Sequence, residues 1–94
     1  MAPWFETQEE VFAFIRTTAE RIVSGEVDPY AGGSDIWHTA LLVRDKSFRL
    51  LMPFAECTDV LDLPQRHSDE ELARARTGLV EASRALLADE AFWL

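Results

Sequence analysis

Few residues in this chain could carry chemistry: Cys57, His38, His67 and a group of clustered carboxylates. Structural zinc takes four ligands, usually in close pairs such as Cys-x2-Cys or His-x3-His. Here His38 and Cys57 lie nineteen positions apart, and Cys57 and His67 ten apart. Neither spacing places two ligands together locally, and Asp59 joins Cys57 and His67 only through tertiary folding, so no metal site is expected. A catalytic thiol needs its pKa lowered by a helix N-terminus or a neighbouring cation. Cys57 instead falls one turn into a helical stripe, between Phe54 and Leu61, where a free cysteine is normally a small buried hydrophobe. Pairing it with His67 or His38 for nucleophilic catalysis is therefore disfavoured.

The carboxylates are more suggestive. Glu56, Asp59 and Asp62 recur at i, i+3 and i+6 on one helix, and Asp69, Glu70 and Glu71 follow closely. Six acids face a single Arg66 across residues 56–71. General acid–base work requires a cleft whose two carboxyls sit in different environments. This patch reads instead as solvent-facing, either a hydrated surface or a docking face for a basic partner. Gly32-Gly33 belongs to no Gly-x-Gly-x-x-Gly frame and has no lysine nearby, so no phosphate loop is present. The expectation is a non-catalytic protein with no cofactor.

Charge narrows the partners. Ninety-four residues carry 9 Lys and Arg against 17 Asp and Glu, a net charge of −8. Affinity for nucleic acid comes chiefly from cations neutralising phosphates, so nucleic acid and anionic membrane surfaces are disfavoured. A basic protein is favoured, because complementary fields speed encounter; the same charge also serves solubility. With Cys57 as the sole cysteine, no internal disulfide forms, and the expected compartment is the cytoplasm. Eight of the nine basic residues are Arg, a bias that points to a GC-rich bacterial genome. An apolar share of 48% fits a single globular domain over residues 1–94. No run of about 18 apolar residues is present to span a membrane. The opening Met1-Ala2-Pro3-Trp4-Phe5-Glu6 lacks the basic region of a signal peptide.

The patterning that must position these residues is helical. Thr7-Gln8-Glu9-Glu10 has the form of a capping box, Thr7 accepting from residue 10 and Glu10 reaching back to the Thr7 amide. Val11, Phe12, Ile15, Ala19, Ile22 and Val23 then make one stripe, and Gly25 suits a left-handed cap. This predicts a helix over residues 8–24. Asp28-Pro29 starts a second, with Asp as N-cap and Pro at the first position. That helix extends to about residue 43, with Ile36, Trp37, Ala40, Leu41 and Val43 on its apolar side. Gly32-Gly33 introduces a candidate bend, since each Gly costs roughly 1 kcal/mol relative to Ala. After the polar connector at residues 44–47, Phe48, Leu50 and Met52 alternate as a strand would. A lone hairpin over residues 41–52 is marginal in water, so a third helix over residues 48–62 is the preferred reading. Pro53 sits in its first turn and Leu63-Pro64 ends it. Ser68-Asp69-Glu70-Glu71 is a second capping box, opening a fourth helix over residues 69–91. Leu72, Ala75, Leu79, Ala82 and Leu86 form its seam, and Gly78 lets a neighbouring helix approach. Together these give an all-α bundle of four helices.

The segment Gly25-Glu26-Val27-Asp28-Pro29-Tyr30-Ala31-Gly32, followed by Ile36-Trp37, resembles a set of uncharacterised small bacterial proteins. Those proteins carry a Gly-x-Val-Asp-Pro-Tyr-x-Gly element followed by Ile-Trp. A later Pro-Phe stretch with downstream acids is also similar, here Pro53-Phe54 through Asp59 and Asp62. The resemblance covers about residues 15–63, and Gly33 and Ser34 depart from it where Ala and a charged residue are expected. It implies an all-helical small protein and carries no activity.

Aromatic residues crowd both ends: Trp4 and Phe5 at one, Phe92, Trp93 and Leu94 at the other. Termini usually fray and are usually polar. Either the ends meet and close the base of the bundle, or part of the cluster stays exposed and binds a partner or a second copy of the chain. Tyr30 and Trp37 align on one helix face, with Trp37 expected inside and the Tyr30 hydroxyl at a rim. The leading reading is a small acidic interaction protein, regulatory or immunity-type, contacting its partner through Trp4, Phe5, Phe92, Trp93, Glu56, Asp59, Asp62, Asp69 and Glu70. The competing reading is a ligand-binding or enzymatic pocket near Tyr30, Trp37 and His38, which requires His38 to face a cavity beside a carboxylate.

Overall fold

The computed structural model describes residues 5–42 and 48–93. Four α-helices carry the fold: α1 (Gln8–Ser24), α2 (Pro29–Ala40), α3 (Met52–Asp62) and α4 (Asp69–Ala88). Short 3₁₀ turns at Phe48–Leu50, Pro64–Arg66 and Glu90–Trp93 complete it. No strand occurs among the described residues, so the helical reading of residues 48–52 holds over the hairpin. Each helix packs on its neighbour in sequence, and α4 returns to α1, closing a ring in which α2 and α4 also touch across the middle.

The helix starts follow their caps. The Thr7 hydroxyl accepts the Glu10 amide at 3.2 Å. The Glu10 carboxylate, expected to return to Thr7, reaches one residue further and accepts the Glu6 amide at 3.0 Å. At α4 both arms of the capping box form: the Glu71 amide donates to Ser68 Oγ at 3.1 Å, and the Ser68 amide to Glu71 Oε1 at 3.0 Å. Asp28 Oδ2 accepts the amides of Tyr30 and Ala31, with Pro29 beginning the helix behind it. Gly25 closes α1 at φ +84°, a conformation that side-chain-bearing residues seldom adopt.

The glycine pair in α2 does not interrupt the helix, which runs unbroken from Pro29 to Ala40. A Cβ on Gly32 would stand 2.7 Å from Ile22 Cγ1 of α1, and one on Gly33 2.7 Å from Leu79 Cδ2 of α4. The two glycines let α2 press against both neighbours at once. Helix continuity is kept because close packing there offsets the propensity cost.

Three ends differ from expectation. α2 stops at Ala40 rather than at residue 43, and Leu41 and Leu42 form a turn whose side chains are exposed. Val43 and the polar connector at residues 44–47 lie outside the described residues. The third helix begins as a 3₁₀ turn and becomes α-helical only at Met52, with Pro53 in its first turn. The fourth ends at Ala88, because the carboxyl of Asp89 accepts the Phe92 amide at 3.1 Å and starts a tighter turn.

The core takes the expected stripes. Ile15, Ala19, Ile36, Phe54, Leu79 and Leu86 are fully enclosed, joined by Val11, Ile22, Leu51 and Ala40. Buried hydroxyls on Thr58 and Ser83 donate back to the carbonyls of Phe54 and Leu79 at 2.7 and 2.8 Å. Thr39 is the exception, since its enclosed Oγ1 has no hydrogen-bond partner among the described residues. Trp37 is half-buried rather than enclosed: Ile36 and Ala40 face the core, and Trp37, about 100° round the helix from Ile36, falls at its edge. No described helix is long and apolar enough to cross a membrane.

Candidate functional site

The acidic residues gather where α3 ends and α4 begins. Glu56 and Asp59 project from α3, Asp62 from its last position, and Asp69 and Glu70 from the first turn of α4; all five are exposed. Several members of the patch are already occupied. The Tyr30 hydroxyl donates to Asp62 Oδ1, tying α2 to α3 and holding the phenol above its ordinary pKa of 10.0. Glu70 pairs with Arg74 one turn along at 3.6 Å, both side chains well exposed. Glu71 is committed to the capping box, with His67 Nδ1 at 3.4 Å. The Ser68 amide, then His67, keep its carboxyl below the usual 4.5. Glu56, Asp59 and Asp69 have no ionic partner among the described residues. They are the open charges of the face.

Beside them, α3 and α4 leave a shallow groove of about 310 Å³ lined by Glu56, Cys57, Val60, Glu71, Arg74 and Ala75. Its depth follows from close helix contact, since a Cβ on Gly78 would meet Cys57 Sγ at 2.8 Å. Cys57 is half-buried there. Burial first, and then the charges of Glu56 and Glu81, push its thiol pKa upward. That environment opposes thiolate formation, the reverse of what a cysteine nucleophile requires.

The Asp28–Arg76 ion pair joins the start of α2 to α4. Burial raises the Asp28 carboxyl pKa, but the Arg76 guanidinium and the amides of Ala31 and Tyr30 outweigh it, leaving a net value below 3.8.

The terminal aromatics fold onto α1 at different residues rather than forming one exposed cluster. Phe5 is half-buried against Phe14, ring centroids 5.4 Å apart. Phe92 is only 4% exposed and belongs to the core, edge-on to Phe12 at 5.5 Å. Trp93 packs against Phe92 and Phe12, donates its indole N–H to the Leu86 carbonyl at 3.0 Å, and lies under the Arg16 guanidinium. The Asp89 turn explains this placement by swinging residues 92 and 93 back over α1. Phe92 is thus withdrawn from the expected contact set, while Trp4 and Leu94 lie outside the described residues.

Neither of two concavities formed by the described residues is lined by Tyr30, Trp37 or His38, the residues of the competing pocket reading. His38 is exposed and its Nδ1 lies 2.7 Å from the Ser34 carbonyl, with no ion pair to a carboxylate among the described residues. A second concavity, of about 380 Å³, is lined by Phe5, Glu6, Thr7, Gln8, Val11, Leu41 and Leu42, and contains none of those three. Among the described residues no group of three His, Cys, Asp or Glu is placed to hold a metal ion. Comparison with protein-family models, with curated proteins and with solved structures finds no match.

Sequence spacing located the acids but not the groove beside them. Cys57 and Val60 read as apolar stripe residues, and Arg74 as an outward-facing cation. Only the Gly78 contact, visible in the sequence as a helix-approach signal, hinted that α3 and α4 come close enough to shape a floor.

Proposed function

We propose that this chain is a small, non-catalytic protein-interaction module of the cytoplasm that engages a basic protein partner through the α3–α4 acidic face. A regulatory or immunity-type role suits its size and charge. The observation that carries this reading is the set of exposed carboxylates on Glu56, Asp59 and Asp69, without ionic partners among the described residues, beside the hydrogen-bonded Asp62 and the ion-paired Glu70. Unpaired surface charge of one sign speeds encounter with the opposite sign and rejects like-charged partners. Nucleic acid and anionic lipid are rejected on the same ground.

The test compares the wild-type chain with a Glu56→Gln, Asp59→Asn, Asp69→Asn, Glu70→Gln variant as baits at low ionic strength. A basic protein held by the wild type and lost from the variant supports the reading. Its loss must also track added salt, because screening lengths shorten to roughly 10 Å at 0.1 M. Identical partners on both baits, or none on either, refutes it.

A further inference from the structure

We infer that the groove between α3 and α4 is an anchor site, receiving one apolar side chain from a partner segment whose flanking residues are lysine or arginine. This rests on the reading of the acidic face given above and assigns that face its specific contact. Exposed ion pairs contribute little individually, so a face of carboxylates alone gives fast but loose encounters. Tight complexes concentrate their energy in a few desolvated anchors surrounded by weaker polar contacts. The α3–α4 groove has that layout. Cys57, Val60 and Ala75 give it an apolar floor, while Glu56 and Glu71 stand at its walls with Asp59 and Glu70 on the same two helices. Arg74, the cation of the lining, is occupied by Glu70.

Charge complementarity selects the occupant. Six acids against one Arg over residues 56–71 disfavour a second copy of this acidic chain and favour a cationic segment. The concavity at Phe5, Leu41 and Leu42 is a poorer candidate. Gln8 Nε2 already donates to the Leu42 carbonyl beside it at 2.9 Å, and among the described residues of its lining only Glu6 is charged.

Cys57 supplies a reporter on the groove floor. The test measures its alkylation by iodoacetamide in the full-length wild-type chain with three short synthetic peptides. One carries a central leucine flanked by lysines, one has serine in place of that leucine, and one keeps the leucine between glutamates. At a concentration about ten times its dissociation constant, the lysine–leucine peptide is expected to slow alkylation about tenfold, the free fraction set by mass action. The serine peptide binds more weakly and leaves the rate unchanged. A Val60→Lys substitution, with folding checked by circular dichroism, should reduce the lysine–leucine affinity to that of the serine peptide. Equal binding of the leucine and serine peptides without protection of Cys57 overturns the anchor and leaves the acidic-face reading standing. No binding by either lysine peptide overturns both. Protection by the glutamate-flanked peptide, or by the chain itself at high concentration, overturns the cationic occupant.

Discussion

Replacing Gly33 by alanine sets two effects of similar size against each other. Helix propensity favours alanine by roughly 0.8–1 kcal/mol in a helix interior. Against this, the new methyl would stand 2.7 Å from Leu79 Cδ2 and 3.2 Å from Cδ1. Carbon pairs settle at about 3.5–4.0 Å, and Leu79 is completely enclosed, so the shift must be shared by its neighbours. Overpacking of this kind typically costs about 1–3 kcal/mol. The net expectation is a loss of about 1 kcal/mol, the overpacking cost less the propensity gain. For a domain of this size that lowers Tm by roughly 4–8 °C. The decisive assay is urea unfolding of Gly33→Ala in the wild-type and Leu79→Val backgrounds. Valine lacks both δ-methyl groups, so in that background the propensity term stands alone and Gly33→Ala should stabilise. The same substitution therefore changes sign between backgrounds, giving a coupling energy of about 2 kcal/mol. Stabilisation of equal size in both would refute the claim that glycine is required for the approach of α2 to α4.

Asp28→Ala removes the N-cap of α2 together with the Arg76 ion pair, and should cost about 1 kcal/mol or slightly more in denaturant midpoint. Arg76→Ala should cost less, because both partners are about half exposed and such pairs are worth roughly 0–1 kcal/mol. The carboxyls of Asp28 and Glu71 lie below their ordinary values of 3.8 and 4.5 in the folded chain. Their contribution is complete above those values and is lost as pH falls through the lower folded ones, so acid unfolding should begin earlier in Asp28→Asn and Glu71→Gln. Tyr30 runs the other way: its raised pKa contributes stability fully below pH 10.0 and loses it as pH climbs past the folded value. Tyr30→Phe should accordingly flatten the alkaline limb of a stability–pH profile. Thr39→Val removes an enclosed hydroxyl without a partner among the described residues and should raise stability by about 1 kcal/mol, read from the urea midpoint.

Local signals in the sequence were reliable wherever one residue decides a backbone event. Gly25 ended α1, Asp28-Pro29 opened α2, and Ser68 with Glu71 opened α4, because each satisfies an orphan backbone group with a nearby atom. The apolar stripes placed Ile15, Ala19, Phe54, Leu79 and Leu86 in the core for the same reason of fixed helical period. Gly32-Gly33 left α2 open to either an unbroken or a bent course because propensity is local, whereas the closeness of Ile22 and Leu79 is decided by tertiary packing. The return of Phe92 and Trp93 onto Phe12 depends on the Asp89 turn, which shortened α4 against its periodic pattern. On the acidic face, charge was legible residue by residue, but pairing was not. Tyr30 meets Asp62 across 32 positions, and Asp28 meets Arg76 across 48, so no spacing rule anticipates either. Those pairings separate the occupied carboxylates from the open ones, and with them the scaffold from the surface offered to a partner.

The central claim is that recognition happens on the α3–α4 face, and an amide chemical-shift map of the chain titrated with the lysine–leucine peptide tests it most directly. Shifts should concentrate in residues 56–60 and 69–75 and shrink as salt is added, with α1 and the terminal aromatics silent. Shifts centred instead on Phe5, Leu41 and Leu42, or spread evenly over the surface, would contradict it.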